Sequence, residues 1–256
     1  MNSLIPFFGL EGRGIVSIVG AGGKTTLMFR LARELKEEGI AVLTTTTTKI
    51  RWPTKTQSPL VFVDSTVEKL LADIRPYIAV HYHVTAGKRF SPQEGKIYGF
   101  HREEVEALFG ANLFTWVIVE ADGAASRPLK APAPHEPVIP QASSVVIAVV
   151  GLDVLGKPLE EEWVFRSDLF SAITGLDRGS PITKEAIVAI ISHPAGLFKG
   201  SPPEAKRYVF LNKAISLARK KQGEAITTML LDQKRYNLKG VIIGAVLKND
   251  FTFYPI

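Results

Sequence analysis

Gly20-Ala21-Gly22-Gly23-Lys24-Thr25-Thr26 decides how the rest of this chain is read. It follows an apolar stretch, Ile15-Val16-Ser17-Ile18-Val19, and opens a helical pattern in which Leu27, Leu31, Ala32 and Leu35 share one face. Arg30, Arg33, Glu34, Lys36 and Glu37 lie largely off that face. Strand, glycine loop, Lys-Thr and helix in this order make the phosphate-loop arrangement. Glycines let the backbone turn its N–H groups toward a polyphosphate with no Cβ in the way. The helix N-terminus adds a dipole that favours an anion. On this reading Gly20, Ala21, Gly22, Gly23 and Thr26 surround the phosphates and Lys24 reaches the β- and γ-phosphates. The Thr25 hydroxyl ligates Mg²⁺. The usual spacing, G-x-x-x-x-G-K-[ST], has Ile18 where its first glycine stands. The alternative is a flexible glycine turn with an incidental Lys-Thr, and the strand and helix on either side favour the phosphate loop.

Outward from this loop, apolar segments alternate with helical patterns. Strands are expected at residues 14–19, 40–45, 60–63, 78–84, 115–120, 144–150, 206–211 and 240–247. Helices are expected at 24–38, 65–75, 101–109, 166–174, 183–192 and 213–231. Runs such as Trp116-Val117-Ile118-Val119 and Val145 to Val150 are continuously apolar, as strands buried on both faces are. The expected fold is α/β: a doubly wound, mostly parallel sheet of P-loop NTPase type, formed by residues 1–256 as a single domain. Residues 85–100, with Gly87-Lys88-Arg89, Pro92 and Gly95-Lys96, read as a small hairpin insertion. Pro128 to Pro140 holds five prolines and reads as a long extended loop.

Composition narrows the function. The 256 residues are 46% hydrophobic and 22% charged, ordinary for a globular chain. No apolar run approaches the roughly 20 residues that cross a bilayer. Met1 to Leu10 has neither a basic start nor a long apolar core, so no secretory signal is expected and the default location is cytoplasmic. The net charge of +6 suits a phosphate-bearing ligand, but the basic residues are scattered, so nucleic acid is not the expected partner. The chain has no cysteine, which excludes disulfides, thiolate metal sites and a thiol nucleophile. Its five histidines lack zinc spacing; His81 and His83 read as ordinary residues on one face of a strand.

Further candidates fall at the carboxyl ends of the expected strands, where open parallel sheets bind ligands. The second strand ends in the run Thr44 to Thr48, from which a hydroxyl, Thr46 for example, meets the γ-phosphate or the Mg²⁺ shell. Glu120-Ala121-Asp122-Gly123 ends an apolar strand in the Walker-B manner, where a carboxylate holds Mg²⁺ or orients water. Of Glu120 and Asp122, only one need face the phosphates. Arg127 and Lys130 follow on the proline-rich loop and would hang over the site to neutralise transferred charge or grip an anionic second substrate. His135-Glu136 could supply a base. Asn212-Lys213 resembles the start of the N-K-x-D base-reading motif, but Ile215 replaces its aspartate, so guanine selectivity is not expected; Asn212 is left to touch a base.

Taken together, G-A-G-G-K-T-T, T-T-T-T-T-K-I, V-E-A-D-G-A-A-S-R-P-L-K-A-P-A-P-H-E-P-V-I-P and V-G-L-D-V-L-G-K-P-L, in this order, resemble the YqeC family. The resemblance runs over nearly the whole chain and is most specific in the E-A-D-G to P-L-K-A-P segment. It implies a P-loop nucleotide-binding protein of selenium-cofactor biosynthesis, an accessory of selenium-dependent molybdenum hydroxylases, with hydroxylase-maturation proteins as partners. The loop is also similar to that of Mur ligases, which activate a carboxylate by phosphorylation; the chain is short for their further domains. Val19 stands where P-loop metal-insertion ATPases carry a second lysine.

Three functions follow as expectations. The first is Mg²⁺-dependent cleavage or transfer of the γ-phosphoryl of ATP or another NTP, to water, a small oxyanion or a cofactor acceptor. Lys24, Glu120, Asp122, Arg127 and Lys130 would then carry catalysis by positioning and electrostatics. The second is a nucleotide-gated accessory protein or chaperone that docks on a hydroxylase-maturation partner. The third is a ligase that forms an acyl phosphate.

Overall fold

The structure is a computed structural model that describes residues 3–233 and 237–256. Met1 and Asn2, at the start of the segment read for a secretory signal, lie outside the described residues. Strand β1 (Gly14–Gly20) is buried at every position, and three residues separate it from α1 (Lys24–Glu37). The chain continues through β2 (Val42–Thr46), β3 (Lys49–Arg51), β4 (Val61–Val63), α2 (Val67–His81), β5 (His83–Gly87), β6 (Arg89–Ser91), β7 (Lys96–Tyr98) and α3 (Arg102–Gly110). Then come β8 (Trp116–Glu120), β9 (Leu129–Lys130), β10 (Ser143–Gly151), β11 (Val164–Phe165), α4 (Ser167–Thr174) and α5 (Lys184–Ser192). The last elements are β12 (Lys206–Asn212), α6 (Leu217–Asp232), β13 (Leu238–Ala245) and β14 (Asp250–Pro255).

The main sheet runs in the order β14-β13-β12-β10-β1-β8-β2-β5-β4. Its pairs are parallel except β13 with β14. Alternate residues of β1 serve opposite faces. Ile15 and Val19 join the core under α2, α3, α5 and α6, whereas Val16 and Ile18 pack with Leu27, Met28, Leu31 and Leu35 of α1 and with Leu4 and Phe8. The sheet is therefore covered on both faces, the doubly wound arrangement that the continuously apolar strands imply.

Three expectations need correction. Residues 78–81 belong to α2 rather than to a strand, because Leu70, Ile74 and Ile78, four apart and buried, continue one helical face past Pro76. His81 consequently closes a helix while His83 opens β5, so they share no strand face. His83 is buried with its Nε2 3.0 Å from the Thr44 hydroxyl, and burial, with Lys36 nearby, pushes its pKa down to about 3. Second, α6 begins at Leu217, where the Ser216 hydroxyl accepts from the Arg219 N–H as a cap. Third, β14 is a strand that the sequence reading omits; its antiparallel register with β13 is a tertiary choice.

The hairpin insertion is present as β6 and β7, antiparallel to each other, and the segment after the threonine run adds β3 to its other side. The proline-rich segment is loop apart from β9, which pairs with β11.

Candidate functional site

The glycine loop lies at the carboxyl end of β1, between the ends of β8 and β10. Its conformation requires glycine: Gly22 has φ +85°, and a Cβ there would lie 2.4 Å from the Gly151 nitrogen and 2.7 Å from the Pro128 oxygen. Neighbouring elements clamp the loop. The Gly20 N–H donates to Asp122 Oδ2 (3.0 Å), the Ala21 N–H to the Val149 carbonyl (2.8 Å) and the Gly22 N–H to the Arg127 carbonyl (3.1 Å). The N–H groups of the first turn of α1, which includes Lys24, Thr25 and Thr26, have no intrahelical partner.

Two acidic residues meet this loop. The Thr25 hydroxyl donates to Glu120 Oε2 at 2.6 Å, and Lys24 Nζ lies 3.0 Å from Asp122 Oδ1 and 3.7 Å from Glu120 Oε1. The sequence required only one carboxylate toward the loop. Both reach it, since residues two apart share a strand face and Asp122, two past Glu120 at the end of β8, stays on the same side. Lys24 is buried, and its Nζ also donates to the Gly20 carbonyl at 2.7 Å. Burial works against the Lys24 ammonium, but the Asp122 and Glu120 carboxylates outweigh it and hold its pKa above the ordinary lysine value. Burial pushes the Glu120 carboxyl up, offset in part by Lys24 and the Thr25 hydroxyl.

Lys130 does not hang over the site. It is fully buried in β9, with Nζ 3.1 Å from Asp122 Oδ2, 2.6 Å from Glu136 Oε2 and 2.6 Å from the Gly123 carbonyl. Glu136 is gripped on its other side by both terminal nitrogens of Arg166. A ladder of alternating charge thus runs Lys24, Asp122, Lys130, Glu136, Arg166, buried except at its Arg166 end. Burial alone would raise the Glu136 carboxyl, but the hydrogen bonds from Arg166 and Lys130 hold it down at about 2. Glu136 is therefore an anchor and a poor base. A group with a depressed folded pKa stabilises above its unfolded value, and that stabilisation is lost as pH falls through the folded one. Unfolding measured from pH 5 to 2 is expected to show stability falling across that window, and Glu136→Gln is expected to flatten the fall.

Other expected residues sit differently. Arg127 sends its guanidinium to the Glu161 and Ala125 carbonyls and offers the loop its backbone oxygen instead. The Thr46 hydroxyl is spent on the Glu120 carbonyl at 2.7 Å, so it braces the strand end that presents Glu120. Asn212 is spent as well: Nδ2 donates to the Gly22 carbonyl (2.8 Å) and Oδ1 accepts from the Val246 N–H (3.3 Å). His135 is exposed and lines a separate hollow with His101 and Val138. Sequence reasoning missed Arg166, thirty positions beyond Glu136, since no local spacing announces that pair.

The model of the YqeC protein family matches residues 16–168. The chain belongs to the YqeC family. The matched span holds the glycine loop, the threonine run, Glu120, Asp122 and the whole ladder to Arg166, and leaves Asn212 outside. A relative within the family is the uncharacterized protein YqeC of Escherichia coli (strain K12), 38% identical over 199 residues, which are 78% of this chain and 75% of that one. Among solved structures, FtsY from Mycoplasma mycoides overlaps 99% of this chain and 68% of its own with 12% identity and a TM-score of 0.44, too distant to bear on function. Among the described residues no helix is long and apolar enough to cross a membrane.

Proposed function

We propose that this protein binds a nucleoside triphosphate, ATP foremost, with Mg²⁺ at the glycine loop, and cleaves or transfers its γ-phosphoryl. One observation carries the reading: Lys24 and Thr25 at the start of α1 are in direct contact with Glu120 and Asp122 at the end of the adjacent strand β8. The residues fit the metal. A hydroxyl and two carboxylates are hard oxygen donors, and Mg²⁺ at phosphates is held by one or two carboxylates plus the phosphates. Among the described residues no set of three or more His, Cys, Asp or Glu would hold an ion without the substrate. Bound there, Mg²⁺ would neutralise developing phosphate charge.

In this reading the first turn of α1 holds the β- and γ-phosphates, and Lys24 leaves the Gly20 carbonyl to meet them. Thr25 and Glu120 hold the metal. Asp122, kept in place by Lys130 and the Gly20 N–H, steadies the loop and orients an attacking water or acceptor. Lys130 acts as a positioning residue. The pathway is cofactor maturation of selenium-dependent molybdenum hydroxylases in the cytoplasm, with a small oxyanion or cofactor as acceptor and maturation proteins as partners. The reading takes residues 1–256 as one domain, supported by the nine-stranded main sheet, which includes both β1 and β14.

Titration with ATP, GTP, CTP and ADP in Mg²⁺, with phosphate release followed in parallel, tests this. The pair Glu120→Gln and Asp122→Asn is expected to raise the Mg²⁺ concentration needed for half-maximal binding or turnover by about tenfold or more. An unchanged Mg²⁺ response would leave those carboxylates a purely structural role.

The charge ladder favours a second reading, the nucleotide-gated accessory protein. Drawing Lys24 to a phosphate removes a cation from Asp122, and Lys130 carries that change to Glu136 on the proline-rich loop. Turnover that rises only when a maturation partner is added would select this reading.

A further inference from the structure

The hairpin insertion leaves one strongly charged face uncovered. Residues 49–58 and 85–100 hold Lys49, Arg51, Lys55, Lys88, Arg89 and Lys96 against a single acid, Glu94, in a chain whose whole net charge is +6. The register of the three-stranded sheet sorts these side chains by face. Lys49, Tyr98 and Arg89 form one cross-strand row, and Arg51, Lys96 and Ser91 form the next row on the same face. Ile50, Ile97 and Phe90 point the other way. Ile50 and Ile97 are buried in the core that includes α1, and Phe90 packs edge-on against Trp52 at 4.7 Å. One face therefore fastens the insertion to the protein, and the other presents four cations around one tyrosine.

The fold alone does not account for these cations. Arg51 stands directly opposite Lys96, and like charges so placed destabilise a sheet. Lys49 pairs with Glu94 at 3.2 Å, whereas Arg51, Arg89 and Lys96 make no ion pair among the described residues. Arg51 and Arg89 are exposed and Lys96 is half-buried. Lys49 and Arg89, from the strands on either side of Tyr98, lie over its ring at 4.3 and 3.9 Å from the centroid. Single-stranded nucleic acid is held by bases stacked on free aromatic faces, and the covered Tyr98 ring offers none. The face offers guanidinium and ammonium groups instead, and a guanidinium pairs with a carboxylate through two parallel hydrogen bonds. Lys49 and Arg51 are two residues apart on β3, about 7 Å, the repeat at which an extended peptide presents side chains to one side.

We propose that this face docks an acidic segment of a partner protein, an extended stretch with Glu or Asp at alternate positions. Its carboxylates take Arg51, Arg89 and Lys96, and relieve the repulsion between Arg51 and Lys96. The docked segment lies beside the candidate site. The Gly99 N–H, just after β7, donates to the Thr48 carbonyl, and the Phe100 N–H donates to the carbonyl of Thr46, whose hydroxyl braces Glu120. Docking needs no nucleotide, so the proposal stands apart from the reading of the glycine loop.

Fluorescence anisotropy tests the proposal, with the full chain titrated into a labelled peptide of about ten residues that alternates glutamate and serine. The same peptide with glutamine for glutamate and a single-stranded oligothymidylate of equal charge are titrated beside it, and phosphatidylserine vesicles are tested by co-sedimentation. The glutamate peptide is expected to bind saturably, about tenfold or more tighter than the glutamine peptide, and to weaken as salt is raised. Arg51→Gln together with Arg89→Gln is expected to weaken it by about tenfold or more. Lys221→Gln together with Lys239→Gln removes as much charge from exposed positions elsewhere and is expected to leave it unchanged. Both double variants are expected to melt close to the parent and to bind triphosphate as the parent does, so unfolding and failure at the glycine loop are each seen separately. The proposal is overturned if the glutamate peptide does not bind saturably, if both double variants lose it equally, or if the oligothymidylate or the vesicles bind more tightly.

Discussion

Lys24→Ala is expected to weaken Mg²⁺-triphosphate binding by about 100-fold or more, the loss of charge-assisted hydrogen bonds to two phosphates. Read from the sequence, this lysine stands on a ligand surface and its removal leaves the fold intact. The structure changes the second half of that expectation. Lys24 is buried and neutralises Asp122 and Glu120. Its loss leaves two carboxylates short of a cation, although Asp122 keeps Lys130 and Glu120, already pushed up by burial, can take a proton. The variant is therefore expected to unfold more easily by about 1–3 kcal/mol while remaining folded at ambient temperature. Calorimetric titration with ATP beside a urea melt reads both effects. An unchanged affinity in a folded variant would remove the phosphate-loop assignment.

Lys130→Ala is expected to be the most destabilising single change at the site. The side chain is wholly buried and its ammonium joins two carboxylates and a carbonyl. Removing one partner of a buried pair costs about 3–5 kcal/mol, because the charge left behind has no water to turn to. Arg166 still holds Glu136 and Lys24 still holds Asp122, which places the expected loss near 3 kcal/mol, about 6–12 °C in Tm for a chain of this size. Lys130→Met, which keeps the apolar stem, should recover packing but not charge balance. A melt within 1 kcal/mol of the parent for both variants would show that the ladder is not held through Lys130.

Much of the fold is legible in the sequence because it follows from local periodicity. The apolar runs at β1, β8 and β10 and the stripe of Leu27, Leu31 and Leu35 are burial patterns written directly in residue order. The extension of α2 to His81 was less legible, since Ile78 fits either the end of a helix or the start of a strand until its neighbours are known. β14 was not legible at all: six residues at a chain end form a strand because the edge of β13 is there to pair with.

For the site, the sequence by itself determined the glycine loop, Lys24, Thr25 and the acidic strand end, because each depends on a few consecutive residues and one element boundary. Only the tertiary structure decided what the charges do. It brought both Glu120 and Asp122 to the loop, turned Arg127 away toward Glu161, spent Asn212 and Thr46 on backbone, and buried Lys130 between Asp122 and Glu136. The physical reason is that a charge in a solvated loop and a charge in a buried pair have the same sequence signature. What separates them is whether a partner of opposite sign, such as Arg166 for Glu136, arrives from another part of the chain when water is excluded.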